Sequence, residues 1–125
     1  MTLPEPFIDE LLDAMPVHKL GWDANYKSWF EWGVTCGQHG FAWQKLELTE
    51  PLSVTARYAP RKLAEILPDN YSIETSPAAE NWWREASVSI GRGKLLAIDY
   101  GFSAEELFGP ERLNGTLRGY HQHRH

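Results

Sequence analysis

Ser76-Pro77-Ala78-Ala79-Glu80-Asn81-Trp82-Trp83-Arg84-Glu85-Ala86-Ser87-Val88-Ser89-Ile90-Gly91, continuing through Arg92-Gly93-Lys94 into Leu95-Leu96-Ala97-Ile98-Asp99-Tyr100-Gly101, is the stretch on which the fold class turns. A serine can cap the free amides of a helix start, and proline fits the first helical position. Ala79, Trp82, Trp83, Ala86 and Ile90 then share one helical face, and Gly91 is a natural stop. Leu95 to Ile98 is unbroken apolar sequence, the pattern of an inner parallel strand covered on both faces. Helix, strand, acidic residue and glycine in that order predict an α/β fold. Ligands of open α/β sheets bind beyond the carboxyl ends of strands, which makes Asp99 a candidate ligand holder. The alternative for Asp99 is a turn-forming aspartate before a glycine. Gly91-Arg92-Gly93 follows a helix and precedes a strand, the reverse of a phosphate loop, so it reads as a helix stop.

Working outward, Pro60 to Leu67 reads as a short helix closed by Pro68, and Tyr71 to Thr75 as a short strand. Leu52, Val54, Ala56 and Tyr58 alternate with Ser53, Thr55 and Arg57, a half-buried extended segment. Ser28 to Val34 and Phe41 to Leu48 are rich in aromatic and β-branched residues and should pair across the Gly37-Gln38-His39-Gly40 loop. Val17 to Leu20 reads as extended and Gly21 to Asn25 as a turn. Residues 17–58 therefore predict an antiparallel meander. Four of the six tryptophans fall between Trp22 and Trp43. They are expected on one packed face, with a ligand platform as the alternative. At the front, Ile8, Leu11, Leu12 and Met15 have helical spacing, and Pro16 ends the run. Asp9 and Glu10 stand where a strand end meets that helix. Either they are charges suited to a helix N-terminus, or they are carboxylates facing a substrate.

The whole chain has 125 residues, the size of a single domain, with 12 Lys+Arg against 17 Asp+Glu for a net charge of −5. That acidity argues against general nucleic-acid binding. No apolar run approaches the ~20 residues of a membrane span. The start lacks the basic and apolar regions of a signal peptide, so a cytoplasmic protein is expected. Cys36 is the sole cysteine, which excludes an intrachain disulfide and a Cys-rich zinc site. After Glu111 no acid occurs, while His121, His123, His125 and three arginines accumulate. With no carboxylate or cysteine beside them, these histidines do not predict a metal site. No Gly-x-Ser-x-Gly elbow and no Gly-rich cofactor loop is present.

Two strings carry a resemblance. Phe7-Ile8-Asp9-Glu10-Leu11-Leu12-Asp13-Ala14-Met15-Pro16-Val17 resembles the Asn-Glu-Leu-Leu-Asp-Ala-Leu-Pro-Val segment of the MidA-like S-adenosylmethionine-dependent methyltransferases. Leu95 to Gly101, followed by Gly115-Thr116-Leu117-Arg118-Gly119-Tyr120 and His123, resembles the later Ile-Asp-Tyr-Gly and Gly-Thr-Leu-Arg region of that family. Glu74 to Pro77 and the Trp82-Trp83 helix match in order and spacing. The resemblance implies a single domain over 1–125, part of a Rossmann-like methyltransferase fold with an inserted antiparallel β-meander. Within it, 7–16 would be a strand end and helix, and 17–58 the meander. Residues 60–101 would be helix-strand-helix-strand of the α/β core, and 102–125 a substrate-side loop and tail.

The implied activity is methyl transfer from S-adenosylmethionine to a protein arginine, since mitochondrial members of the family it resembles are protein arginine methyltransferases that support assembly of respiratory complex I. A protein substrate, such as a respiratory complex subunit, is the implied partner. Glu10 and Asp9 become candidate catalytic residues, although Asp9 stands where the family has Asn. Asp99, Tyr100, Gly101, Gly115, Thr116, Arg118, Tyr120 and His123 become candidate substrate-side residues. Arg118 is expected to find an acidic partner in Glu10 or Asp99, with the tail fraying beyond it. The family's Gly-rich loop would lie before Met1 and its last strands after His125, so weak or no cofactor binding is expected of these residues alone. The alternative is a non-catalytic binding or assembly module that keeps the Trp-rich meander and the basic tail as its surface.

Overall fold

The computed structural model describes residues 11–49, 61–99, 101–119 and 121–122. Four strands, β1 (His18–Asp23), β2 (Ser28–Gly37), β3 (Gly40–Leu46) and β4 (Ser72–Thr75), form one sheet in the order β3-β2-β1-β4. All three strand pairings are antiparallel. Helix α1 spans Pro77–Ser89 and the short α2 Ala104–Leu107, with 3-10 turns at Leu12–Ala14, Arg61–Glu65 and Pro110–Arg112. The fold is mixed α/β in this sense, an antiparallel sheet with a helix. The sequence readings at Phe7 to Glu10 and Leu52 to Tyr58 fall outside the described residues.

The predicted pairing of β2 with β3 is present, with Gly37 opposite Gly40 across Gln38 and His39. Gly40 takes φ +102°, a conformation that the tight turn requires and glycine adopts freely. The turn placed at Gly21 to Asn25 begins later. Gly21 and Trp22 lie inside β1, and the chain reverses only after Asp23, whose Oδ1 accepts from the amides of Asn25 and Tyr26 at 3.0 Å each. Gly21 is there for space: a Cβ at that position would stand 2.3 Å from Cζ of Phe30 and 2.7 Å from Nε1 of Trp32. The expectation of one tryptophan face is also corrected. Trp22 pairs with Trp29 on the core face at 5.1 Å between rings, while Trp32 and Trp43 meet at 6.2 Å on the opposite face. Strand side chains alternate, and Trp29 and Trp32 are three residues apart, so they cannot share a face.

Leu20, Trp22, Leu67, Tyr71 and Ile73 form the core, with Leu63, Ala64 and Phe108 packed against it. Tyr71 ties the later chain to the sheet. Its hydroxyl lies within hydrogen-bond distance of the carbonyls of Leu107 (2.9 Å) and Gly109 (3.1 Å), and its ring stacks on Phe108. Tyr71→Phe should cost about 1 kcal/mol, read as a lower urea midpoint at unchanged m. Burial first, then the negative charge of Glu111, raises the Tyr71 phenol above its ordinary value of 10.0, with Arg112 opposing. The folded state therefore holds this proton more tightly than the unfolded chain. The associated stability is complete below pH 10 and is lost as pH rises through the folded value. Tyr71→Phe should flatten that alkaline decline.

Ser76 and Pro77 start α1 as predicted: Ser76 Oγ accepts from the Ala79 amide at 3.2 Å and donates to the Pro16 carbonyl at 2.8 Å. No residue of α1 is buried, however, and Leu12 with Ala79 and Trp83 only lines a shallow open groove. Leu95 to Ile98 differs from its predicted role. It forms no strand, and Leu96 and Ile98 are 82% and 90% exposed. A parallel strand needs a free neighbouring edge, and the outer edge of β4 is engaged by another segment. The Ser72 amide donates to the Leu113 carbonyl at 2.9 Å, and Ser72 bridges Asn114 in parallel.

Candidate functional site

Alternation along Tyr71 to Thr75 sends Tyr71 and Ile73 into the core and Ser72 and Glu74 to the other face of the sheet. Lys19 lies directly opposite Glu74 across the β1–β4 pairing. The Glu74 side chain is 9% exposed and that of Lys19 17%, and Lys19 Nζ stands 3.5 Å from Glu74 Oε1. Glu74 Oε2 accepts two hydrogen bonds from one residue, the Thr116 amide at 2.7 Å and the Thr116 hydroxyl at 2.9 Å. Lys19 Nζ also donates to the Asn114 carbonyl at 2.5 Å. Gly115, with φ +75°, lies over the carboxylate, where a Cβ would stand 2.2 Å from Oε1. A buried carboxylate is costly unless paired and hydrogen-bonded, and here the cation and the 114–116 segment supply both.

The same face continues into aromatic side chains. Trp32 Nε1 donates to Ser72 Oγ at 3.0 Å, and Ser72 Oγ donates to the Asn70 carbonyl at 2.9 Å. Phe30 meets Trp32 edge-on at 4.7 Å, and Lys45 Nζ sits 4.4 Å above the Phe30 ring. Lys19 Nζ is 5.7 Å from the Trp43 ring centre, which links the ion pair to this cluster. Beyond it the β2–β3 ribbon projects, with Val34, Phe41 and Trp43 exposed.

Of the residues singled out from the sequence, Gly115 and Thr116 are held in this cluster, and the residue they meet is Glu74. Asp99 and Gly101 are exposed, and Asp99 Oδ2 lies 3.4 Å from where a Cβ at Gly101 would stand. Arg118 is exposed, and Nη1 donates to its neighbour's carbonyl, Leu117 O, at 3.3 Å. Among the described residues no carboxylate pairs with it, so the expected partnership with Asp99 is not formed. Asp9, Glu10, Tyr100, Tyr120 and His123 lie outside the described residues. Sequence reasoning missed Lys19 and gave Glu74 no role. The available signal was a lone carboxylate one position after Ile73 in a short strand, where alternation sends it to the face opposite the core.

A family model described as "Putative S-adenosyl-L-methionine-dependent methyltransferase" matches residues 7–125. No curated protein and no solved structure gives a significant match. The strand-to-helix turn from β4 into α1 does not fit a nucleoside cofactor. Nucleotide-binding strand-to-helix turns use glycines and free helix-start amides. The turn from β4 into α1 instead carries Ser76 and Pro77, and its Ala79 amide is already bonded to Ser76. Among the described residues no helix is long and apolar enough to cross a membrane.

Proposed function

As the chain belongs to this family of S-adenosyl-L-methionine-dependent methyltransferases, we propose that its residues form the acceptor side of a MidA-like, Rossmann-like methyltransferase acting on protein arginine. The observation that carries the reading is the match over residues 7–125, together with the anchoring on Glu74 of Gly115 and Thr116, which open the Gly-Thr-Leu-Arg string. Methylating a guanidinium nitrogen replaces one N–H by N–CH3 and releases a proton. A carboxylate can hold the guanidinium by two parallel hydrogen bonds and accept that proton, the role assigned to Glu10 with Asp9 beside it. Asp99, Tyr100 and Gly101, with Arg118, Tyr120 and His123, are assigned to the substrate opening. A cytoplasmic setting and a respiratory-complex subunit as the acceptor protein belong to the same reading.

The exposed Val34, Phe41 and Trp43 on the β2–β3 ribbon favour a second reading, a binding or assembly module without catalysis. Calorimetric titration should show S-adenosylmethionine binding weaker than about 0.1 mM. Low-micromolar affinity would overturn the acceptor-side assignment. The test of activity is transfer of a radiolabelled methyl group, at millimolar S-adenosylmethionine, to arginine-containing peptides. Labelled methylarginine after hydrolysis supports the enzyme, and its absence supports the module.

A further inference from the structure

We propose that Glu74, braced by Lys19, is a positioning residue whose role is to fix the chain at Gly115 and Thr116, immediately before Arg118. The inference rests on the methyl-transfer reading for its functional meaning, but its geometry is independent of it. Four contacts pin the chain from Leu113 to Thr116 against β4 and β1. The Ser72 amide holds the Leu113 carbonyl at 2.9 Å, and Lys19 Nζ holds the Asn114 carbonyl at 2.5 Å. The Gly115 backbone rests on the carboxylate, and Thr116 gives Oε2 both its amide and its hydroxyl. Beyond Thr116 no further hydrogen-bond contact to β1 or β4 is formed among the described residues, and Leu117, Arg118 and Gly119 are exposed. A segment clamped at one end and open immediately after it presents its next side chains at a fixed origin. The first charged side chain so presented is Arg118.

The clamp is chemically specific. Oε2 needs two donors from one residue, which Ser or Thr at 116 supplies and Val does not. Oε1 receives no hydrogen bond among the described residues and faces Lys19 Nζ at 3.5 Å and Gly115. A Cβ at residue 115 would stand 2.2 Å from this oxygen, so only a glycine backbone fits against it there. An amide in place of the carboxylate keeps the shape but loses the charge that pairs with Lys19. It also weakens two charge-assisted bonds, which are roughly twice as strong as neutral ones.

Hydrogen exchange on the chain without cofactor tests the clamp. Glu74→Gln and Thr116→Val should each speed exchange of the Thr116 amide by roughly 10- to 100-fold. The Leu20 and Phe30 amides should stay at wild-type rates, and Thr116→Ser should retain wild-type protection. Unchanged exchange at Thr116 in both variants, or equal loss in Thr116→Ser, would overturn the proposal. Equal acceleration at Leu20 and Phe30 in Thr116→Val would also overturn it, because that pattern marks general unfolding.

In the methyl-transfer assay, Thr116→Val should lower kcat at least tenfold with KM for S-adenosylmethionine within twofold, and Thr116→Ser should restore it. Equal kcat in all variants would overturn the positioning role while leaving the clamp. A wild-type chain with no transfer would overturn the methyl-transfer reading and the positioning role with it, and exchange would still decide the clamp.

Discussion

Gly21→Val should destabilise the fold by about 3 kcal/mol, lowering Tm on the order of 10 °C by calorimetry. A side chain at 21 points at the Phe30 ring, whose Cζ would stand 2.3 Å from the new Cβ. An isolated phenyl ring could swing aside, but this one is boxed. Trp32 meets it edge-on at 4.7 Å and is itself tied to Ser72 Oγ at 3.0 Å, and Lys45 Nζ covers its face at 4.4 Å. Relief by rotation therefore disturbs the Trp32–Ser72 bond and the pairing of β1 with β4 beside it. The control is Gly37→Ala, where a Cβ meets no atom within 4 Å and which should change stability by less than about 0.5 kcal/mol. A Tm shift below about 2 °C for Gly21→Val would mean that the aromatic face yields and that Phe30 is not held in place by Trp32 and Lys45.

Gly21 also shows where the sequence was legible and where it was not. Alternating apolar residues either side of Gly37 and Gly40 define a hairpin locally, and β2 and β3 follow it with Gly37 opposite Gly40. The Ser76-Pro77 helix start is equally local, because capping depends on residues three apart. Gly21 carries no such local signal. A glycine that makes a turn and a glycine that makes room for an aromatic ring nine residues later look the same until the strand register is known. Leu95 to Ile98 fails for a related reason. Its hydrophobicity matches an inner strand, but pairing is decided by which edges are free, and Leu113 and Asn114 engage β4 where a further strand could have joined.

The candidate site was half legible. Gly115 and Thr116 stood out through the Gly-Thr-Leu-Arg string, and in the structure Thr116 is hydrogen-bonded to Glu74 with Gly115 close over the same carboxylate. An acidic partner was sought only for Arg118, among acids at strand ends, because ligand sites of parallel sheets lie there. The described sheet is antiparallel, and its polar centre sits on a face, where Lys19 of β1 and Glu74 of β4 meet 55 positions apart in sequence. Only the register of β1 against β4 brings them together.

Gly115→Ala should cost about 2–4 kcal/mol, and the cost should depend on Glu74. Two independent penalties add. At φ +75° an alanine carries a left-handed backbone strain of roughly 1–2 kcal/mol. Its Cβ would also stand 2.2 Å from Glu74 Oε1 and 2.7 Å from the Glu74 carboxyl carbon. The carboxylate cannot retreat cheaply, because Oε2 accepts from both donors of Thr116 and Oε1 faces the Lys19 cation at 3.5 Å. A double-mutant cycle separates the two terms. In a Glu74→Ala background the clash disappears and only the backbone strain remains, so the further cost of Gly115→Ala should fall to about 1–2 kcal/mol. Gly119→Ala serves as the control, since a Cβ there meets nothing within 4 Å. Its urea midpoint should stay at the wild-type value. An identical cost for Gly115→Ala in both backgrounds would show that the glycine serves the turn alone. The close seating of the 114–116 segment on Glu74 would then have no energetic consequence.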